Sequence, residues 1–142
     1  MKTTTLLSAL SLMFILISSS CKKEDNSNSA PSVSSIVTQG NWRVTLYSEN
    51  GVNETSKFSN YSFTFNSNGT VSAVSSGSTV SGTWSNANDD SQHKLILNFS
   101  NPSTFVEISD DWHIVEQTSV KIRLEDVSGG NGGTDLLTFE KN

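Results

Sequence analysis

The two histidines, His93 and His113, are the side chains of this chain best suited to acid-base or metal chemistry. Metal-binding histidines usually recur at short spacings such as His-x-His or His-x-x-x-His, and these two lie far apart in the sequence. His93 falls at the edge of a polar loop, and His113 falls on a strand face that we expect to be exposed. We therefore expect neither histidine to bind a metal ion.

Two pairs of adjacent aspartates, Asp89-Asp90 and Asp110-Asp111, are the next candidates for chemistry. A calcium loop needs oxygen ligands at spaced positions, and a glycosidase needs two carboxyl groups held on either side of the sugar bond. Adjacent aspartates in polar loops fit neither pattern and are usually solvated charges. We expect no metal site and no catalytic carboxylate pair here.

The serines and glycines show no pattern typical of a nucleophile or a phosphate site. The sequence contains no Gly-x-Ser-x-Gly elbow, and the many serines have no partner base. The glycine-rich run at 128–133 precedes an alternating segment that starts at Thr134, whereas a phosphate loop needs the N-terminus of a helix behind it. The sequence therefore predicts no catalytic residue and no cofactor, and we expect a protein that is not an enzyme.

Charge and length exclude further classes. The chain has 142 residues, 9 basic against 14 acidic side chains and a formal net charge of −5. Nucleic-acid phosphates require clustered lysines and arginines, and the basic residues here are scattered. The length suits one domain with one core. We expect no nucleic-acid partner.

The front of the chain has the composition of an export signal. Lys2 supplies a positive start, residues 6–17 are mostly apolar, and Ser18, Ser19 and Ser20 supply small residues before Cys21. The apolar stretch is too short to span a bilayer, which takes about 20 residues. We therefore expect residues 1–20 to be a signal peptide that is removed.

Cys21 is the single cysteine of the chain, so it makes no internal disulfide and no cysteine-rich zinc site. Its position after small residues resembles a bacterial lipobox, in which the cysteine carries lipid such as palmitate and becomes the first residue. The next four residues, Lys-Lys-Glu-Asp at 22–25, resemble the tag with which Bacteroidetes send lipoproteins outward. The resemblance implies an outer-membrane lipoprotein that faces the cell surface or the periplasm. Cleavage by ordinary signal peptidase, which would leave a free thiol, is the alternative.

After Cys21 the chain divides into a tether and a domain. Residues 21–35 are polar and lack apolar periodicity, which predicts a flexible tether. The domain is predicted at 36–142. Residues 35–39 are expected to form one helical turn before the first strand.

Short alternating segments follow one another through the domain, separated by turn signals. On the first of them, Trp42, Val44 and Leu46 share one face. Gly82, inside another, suggests a bend or a bulge. The alternating segments number eight, and they are 42–47, 61–65, 70–74, 79–84, 94–99, 112–117, 120–125 and 134–140. Without crossover helices, they predict an all-β antiparallel sandwich or barrel.

The glycine and tryptophan of Gly40-x-Trp42, placed before the first of these strands, resemble the opening signature of lipocalins. The likeness covers about 36–141 and is typical of a small lipocalin-like (calycin) lipoprotein domain of Bacteroidetes. It implies an eight-stranded, antiparallel, up-and-down β-barrel. It also implies that Arg123, with Lys121 as the alternative, packs over the indole of Trp42, since a guanidinium stacks well on an aromatic face.

The aromatic side chains decide what such a barrel holds, because eight strands enclose either packed side chains or one small ligand. Alternation does not tell which face of each strand points inward, so core packing and ligand contact both stay open for these rings. The candidates for lining a pocket are Phe58, Tyr61, Phe63, Phe65, Trp84, Phe99, Phe105 and Trp112.

Two hypotheses for function follow. The first is a lipid-anchored, non-enzymatic protein that binds a small hydrophobic or amphipathic ligand inside the barrel. The second is a surface interaction or adhesion module with a filled barrel, which binds glycan or protein through its loops. In both, the lipid on Cys21 makes the membrane a partner.

Overall fold

The computed structural model of the chain describes residues 31–89, 92–127 and 133–142. The strands, numbered in chain order, are β1 (Trp42–Glu49), β2 (Val52–Asn53), β3 (Ser62–Phe65), β4 (Thr70–Ser75), β5 (Ser78–Asp89), β6 (Gln92–Asn98), β7 (Asp111–Gln117), β8 (Lys121–Val127) and β9 (Thr134–Lys141). The helical pieces are α1 (Val33–Val37), a 3-10 turn (Thr55–Lys57) and α2 (Ser103–Val106). No helix within the described ranges is long and apolar enough to cross a membrane.

Strand β1 together with β3 to β9 forms a closed antiparallel barrel of eight strands, which confirms the predicted fold class. From β3 to β9 each strand pairs with the next along the chain, as in an up-and-down barrel. The sheet closes where β1 pairs with β9, from Trp42 opposite Lys141 to Ser48 opposite Leu136. The β1–β3 side of the closure is a single pair, Trp42 opposite Phe63.

Helix α1 closes one end of the barrel, which we call the α1 end and which also carries the β3–β4 turn (66–69) and the β7–β8 turn (118–120). The helix begins after Ser32, whose side chain caps its first turn. Its buried side chains are Val33, Ile36 and Val37, and the Nε1 of Trp42 donates to the carbonyl of Val37 at 2.8 Å. Because Val33 is buried, ordered packing starts inside the range that the sequence assigned to the tether.

The opposite end, called the α2 end, is closed by α2 and by the 3-10 turn after β2. Phe105 and Ile108 come from the chain around α2, and Phe58 follows the 3-10 turn; all three side chains are fully buried. The Nε1 of Trp112 donates to the carbonyl of Ile108 at 3.0 Å, which fixes this plug to the barrel wall. Within the described residues, every buried side-chain nitrogen or oxygen has a hydrogen-bond partner.

Strand β1 departs from strict alternation, and the prediction for its second half was wrong. The register with β9 shifts between Val44 and Leu46, as at a β-bulge. Beyond this shift Tyr47 is buried, whereas Leu46 is only half-buried. The buried side chain is therefore that of Tyr47, where the alternation had predicted Leu46.

Gly82 is required by packing, not by a bend. The ladder of β5 with β4 runs in register through this residue, so no bulge lies there, and the ladder of β5 with β6 begins at the next residue, Thr83. A Cβ atom at Gly82 would lie 2.5 Å from both the Asn98 carbonyl oxygen and the Phe99 ring. The glycine makes room for the Phe99 ring, which corrects the predicted bulge.

Replacement of the central plug residue tests this packing. Phe105→Ala is expected to lower the free energy of unfolding by about 3–5 kcal/mol, because a buried ring is lost and a cavity is left. Val106→Ala, next to it but 46% exposed, is expected to change the same quantity by less than about 0.5 kcal/mol. Urea denaturation followed by tryptophan fluorescence measures both, and equal effects would contradict the assignment.

Candidate functional site

The aromatic residues predicted to line a pocket gather around Phe105 at the α2 end. Its ring centroid lies 5.0 Å from that of Tyr61, 5.1 Å from Phe99, 5.4 Å from Phe58 and 6.0 Å from Phe63. Tyr61 is half-buried, and the other four are at most 2% exposed. We call these five residues the Phe105 cluster. The contacts of Phe105 with Phe58, Tyr61 and Phe99 are edge-to-face, a favoured packing of aromatic rings, and its contact with Phe63 is tilted.

A second set of rings continues the packing toward the α1 end. The Phe139 centroid lies 5.2 Å from Phe63 and 5.6 Å from Phe65, and Phe65 lies 5.9 Å from Trp84. Trp112, the remaining candidate, is 1% exposed. The rings that sequence reasoning offered as pocket lining therefore contact one another and occupy the barrel interior. Of the candidates, Trp84 also lines a surface groove.

The residues of the lipocalin-like signature are Gly40, Trp42 and Arg123. Gly40 has a φ of +82°, which suits glycine, and Trp42 is fully buried. The cation over the Trp42 indole is Lys141, whose Nζ lies 5.3 Å from the ring centroid. Arg123 instead points outward from β8 and donates to Glu116 at 3.3 Å, because inward positions on that strand belong to its neighbours. The predicted pairing of Arg123 with Trp42 is therefore wrong.

A surface groove of about 610 Å3 lies at the α1 end, between α1, the β3–β4 turn and the C-terminal half of β5. We call it the α1 groove. Its hydroxyl groups come from Ser32, Ser34, Ser35, Thr38, Ser67 and Ser85. Its remaining lining is Asn68, Gly69, Trp84 and Asn86. All ten lining residues, taken from the described part of the chain, are uncharged.

Hydrogen bonds hold the walls of the α1 groove in place. The Ser34 hydroxyl donates to Asn86 Oδ1 at 2.7 Å, which ties α1 to β5. The Nε1 of Trp84 donates to the Asn66 carbonyl at 2.9 Å, and the Trp84 amide donates to the Gly69 carbonyl at 2.8 Å. These bonds join β5 to the β3–β4 turn. The groove is thus a built depression between fixed elements.

The β3–β4 turn itself is shaped by Asn68 and Gly69. Gly69 has a φ of +83°, whereas the φ of Asn68 is not positive. The Asn68 side-chain oxygen accepts bonds from the amide and hydroxyl of Thr70, at 3.1 and 2.7 Å. The turn therefore presents the amide of Asn68 at the rim of the groove.

The histidines lie on neighbouring strands without forming a shared metal-binding group. His93 is exposed at the start of β6, opposite Asn88, and His113 is half-buried on β7, opposite Lys94 and Glu125. Groups of three potential ligands among the described residues consist of carboxylates and include neither histidine.

The first carboxylate group lies at the α2 end. Oxygens of Glu49, Glu54 and Glu107 come within 4.8 Å of one another. The ammonium of Lys57 bonds to Glu54 and lies 2.7 Å from Glu107 Oε2, so a positive charge already lies among them. The hydrogen bonds to Glu107 and then Glu54 raise the pKa of Lys57. These contacts join the 3-10 turn to α2.

The second carboxylate group contains the predicted aspartate pair. Asp110, Asp111 and Asp126 bring oxygens within 4.8 Å of one another, and Asp110 and Asp111 are exposed. Lys94 Nζ lies 2.7 Å from Asp111 Oδ2, and this hydrogen bond lowers the pKa of Asp111. Loss of solvation raises the pKa of Asp110. Asp90 of the other predicted pair lies outside the described residues.

Tyr47 links β1 to the chain after α2. Its hydroxyl donates to the Glu107 carbonyl at 3.2 Å, and its ring packs edge-on against Phe58 at 5.4 Å. Burial, with nearby carboxylates such as Glu49, raises the pKa of Tyr47 above its ordinary value of 10.0. The folded protein therefore keeps this proton at pH values where the unfolded chain loses it.

This geometry defines the class of protein, which is a closed, eight-stranded antiparallel barrel whose interior is filled by side chains. It is similar to the crystal structure of a DUF4847 family protein from Bacteroides vulgatus, determined at 1.00 Å resolution, with a TM-score of 0.54. The two are 17% identical, with coverage of 78% of this chain and 98% of that chain, so the likeness concerns the fold. No protein-family model and no curated protein matches this chain.

The residues of the α1 groove were not found by sequence reasoning. Ser32, Ser34 and Ser35 were assigned to the tether, and the residues at 66–69 were read as a turn. The single signal available in the sequence is the concentration of serine and asparagine in these segments. Nothing in local periodicity indicates that two such segments meet on the surface of one barrel.

The raised pKa of Tyr47 predicts how stability depends on alkaline pH. Because the folded state holds the proton more tightly, this contribution is complete below about pH 10, the pKa of an unfolded tyrosine, and is lost as pH rises beyond it. Tyr47→Phe is expected to reduce the alkaline loss of stability and, near neutral pH, to cost about 0.5–1.5 kcal/mol for the missing hydrogen bond. Urea denaturation at several pH values measures both. Tyr61→Phe is the control, and an unchanged alkaline profile in Tyr47→Phe would contradict the assignment.

Proposed function

We propose that this chain is an exported, lipid-anchored binding protein that recognises its partner on the outside of a filled barrel and has no catalytic role. The observation that carries the proposal is the Phe105 cluster, which takes up interior space that a hollow barrel leaves for a ligand. Of the two hypotheses drawn from the sequence, this geometry favours the interaction module over the carrier of a small hydrophobic ligand.

The α1 groove supports an external binding surface. Its volume of about 610 Å3 lies within the range of about 300–1,000 Å3 that is typical of ligand sites. Its walls are held by side-chain and backbone hydrogen bonds, so little order has to be gained on binding. Glycan or protein bound at this end is the partner class that the proposal includes.

The non-enzymatic part of the proposal rests on what the reactive side chains contact. The first carboxylate group is bonded to Lys57, and Asp111 in the second is bonded to Lys94. Such ion pairs leave these acids engaged in the surface of the fold, without the separated acid and base that general acid-base catalysis needs. The likeness to another barrel is a likeness of fold, which does not by itself indicate a reaction.

The anchoring part of the proposal rests on the sequence of residues 1–25. Signal peptide, Cys21 and residues 22–30 lie outside the described residues, so the lipidation and the outer-membrane location are proposals. The described chain begins at the α1 end, where the Pro31 carbonyl accepts a bond from Gln117 Nε2 at 2.8 Å.

Lipidation is tested by removal of the cysteine. Cys21→Ser is expected to abolish incorporation of labelled palmitate and to move the protein from the membrane to the soluble fraction, because two or more buried acyl chains are needed for stable anchoring. Ser27→Ala, in the same polar stretch, is the control and should keep both properties. Equal membrane association of the Cys21→Ser protein would contradict the anchor. Protease added to intact cells then distinguishes the cell surface from the periplasm.

The filled interior is tested with a fluorescent fatty acid. Titration of the purified whole chain with cis-parinaric acid is expected to give no saturable signal, because the rings leave the probe no interior volume to occupy. A lipocalin with a hollow barrel serves as the positive control. Saturable uptake of one probe per chain would restore the hypothesis of an interior ligand.

A further inference from the structure

We infer that the α1 groove binds an uncharged oligosaccharide. The inference rests on the proposed function, because it names the ligand class for the same external site. Its basis is the combination, in one depression, of serine and threonine hydroxyls, asparagine amides and a tryptophan, with no ionisable side chain among the lining residues described.

The polar groups of the groove match the chemistry of sugar hydroxyls. A serine or threonine hydroxyl donates one hydrogen bond and accepts others, and an asparagine amide offers both functions on one rigid plane. A sugar ring presents vicinal hydroxyls that each donate and accept. Asn68 and Asn86 stand on two walls of the groove, with Ser67 and Ser85 beside them. The Oδ1 atoms of Asn68 and Asn86 already accept bonds from Thr70 and Ser34, so a ligand lying between these walls would accept from the two amide NH2 groups and bond to the Ser67 and Ser85 hydroxyls.

The indole of Trp84 supplies the apolar part of the site. It is held by its bond to the Asn66 carbonyl and by its edge-on packing against Phe65 at 5.9 Å. Trp84 is 8% exposed and is one of the residues that line the groove. Sugars have apolar C–H faces next to their hydroxyls, and amphipathic tryptophan suits contact with both kinds of group.

The absence of charge from the lining favours a neutral ligand over an ionic one. An anionic ligand needs lysine or arginine to offset its lost hydration, and a cationic ligand needs a carboxylate. The lining residues of the groove supply neither. A second depression, of about 420 Å3 on the other side of α1, differs because it includes the titratable His93. The α1 groove is therefore the better match to a neutral glycan.

The test uses the whole chain, purified in a detergent whose head group is not a sugar, because a glycoside detergent would compete. Probes are neutral hexasaccharides of glucose, mannose, xylose and N-acetylglucosamine, with a galacturonic acid hexasaccharide as the charged comparison. Isothermal titration calorimetry measures affinity. We expect saturable binding of at least one neutral probe and weaker or no binding of the charged one.

Matched variants locate the binding. Ser67→Trp and Ser35→Trp add bulk from opposite walls of the groove, and each is expected to weaken binding at least about tenfold through a steric clash. Ser76→Trp, an exposed serine in the β4–β5 turn at the opposite end, is the control and should bind like the original chain. Circular dichroism and thermal melting confirm that each variant is folded.

The outcomes separate this inference from the proposed function. Failure of every neutral probe, preference for the charged probe, or equal weakening by Ser76→Trp would overturn the neutral-glycan site. The proposed function would stand in these cases if Cys21→Ser releases the chain and the fatty-acid probe stays unbound. If neutral sugar binds, vesicles that carry glycolipid and a soluble polysaccharide of the same sugar show whether the source is a membrane or a free polymer.

Discussion

The pairing of β1 with β9 is the constraint on which the rest of this structure depends. Once these strands meet, the sheet has no free edge there, and the eight strands enclose a narrow interior that side chains can fill. The β1–β3 side is closed by one residue pair. Phe58, after the 3-10 turn, packs against Tyr47 and Phe105. Filling the interior moves any recognition to the outside of the barrel.

The class of fold could be predicted from sequence because alternation with a period of two is a local property of strands, and turn residues mark where each strand ends. Side-chain direction beyond a bulge could not, since a single extra residue reverses every later position. Tyr47 is buried for this reason. The identity of the cation over Trp42 could not be predicted either. Lys141 and Arg123 both lie on the last two strands, and the strand register decides which of them contacts the indole.

The candidate site was less predictable than the fold because its residues come from separate segments. Ser34 and Asn86 are 52 positions apart and are joined by a hydrogen bond across the rim of the barrel. Neither segment has a motif, and uncharged polar residues in a loop usually indicate only exposure to solvent. The aromatic residues, by contrast, were found in the sequence but are explained by the core. The rings that could have lined a cavity instead fill the barrel interior.

The bond between Gln117 and the Pro31 carbonyl places the start of the described chain beside the same helix that forms one wall of the α1 groove. This arrangement has a mechanical consequence for an anchored protein. If a bound polymer is dragged by flow while the chain is held through its N-terminal side, both forces enter at one end of the barrel. Tension then passes between α1 and β5, through the Ser34–Asn86 bond and the packing of the buried α1 side chains against the barrel. Resistance to shear would depend on how firmly that helix is held to the barrel.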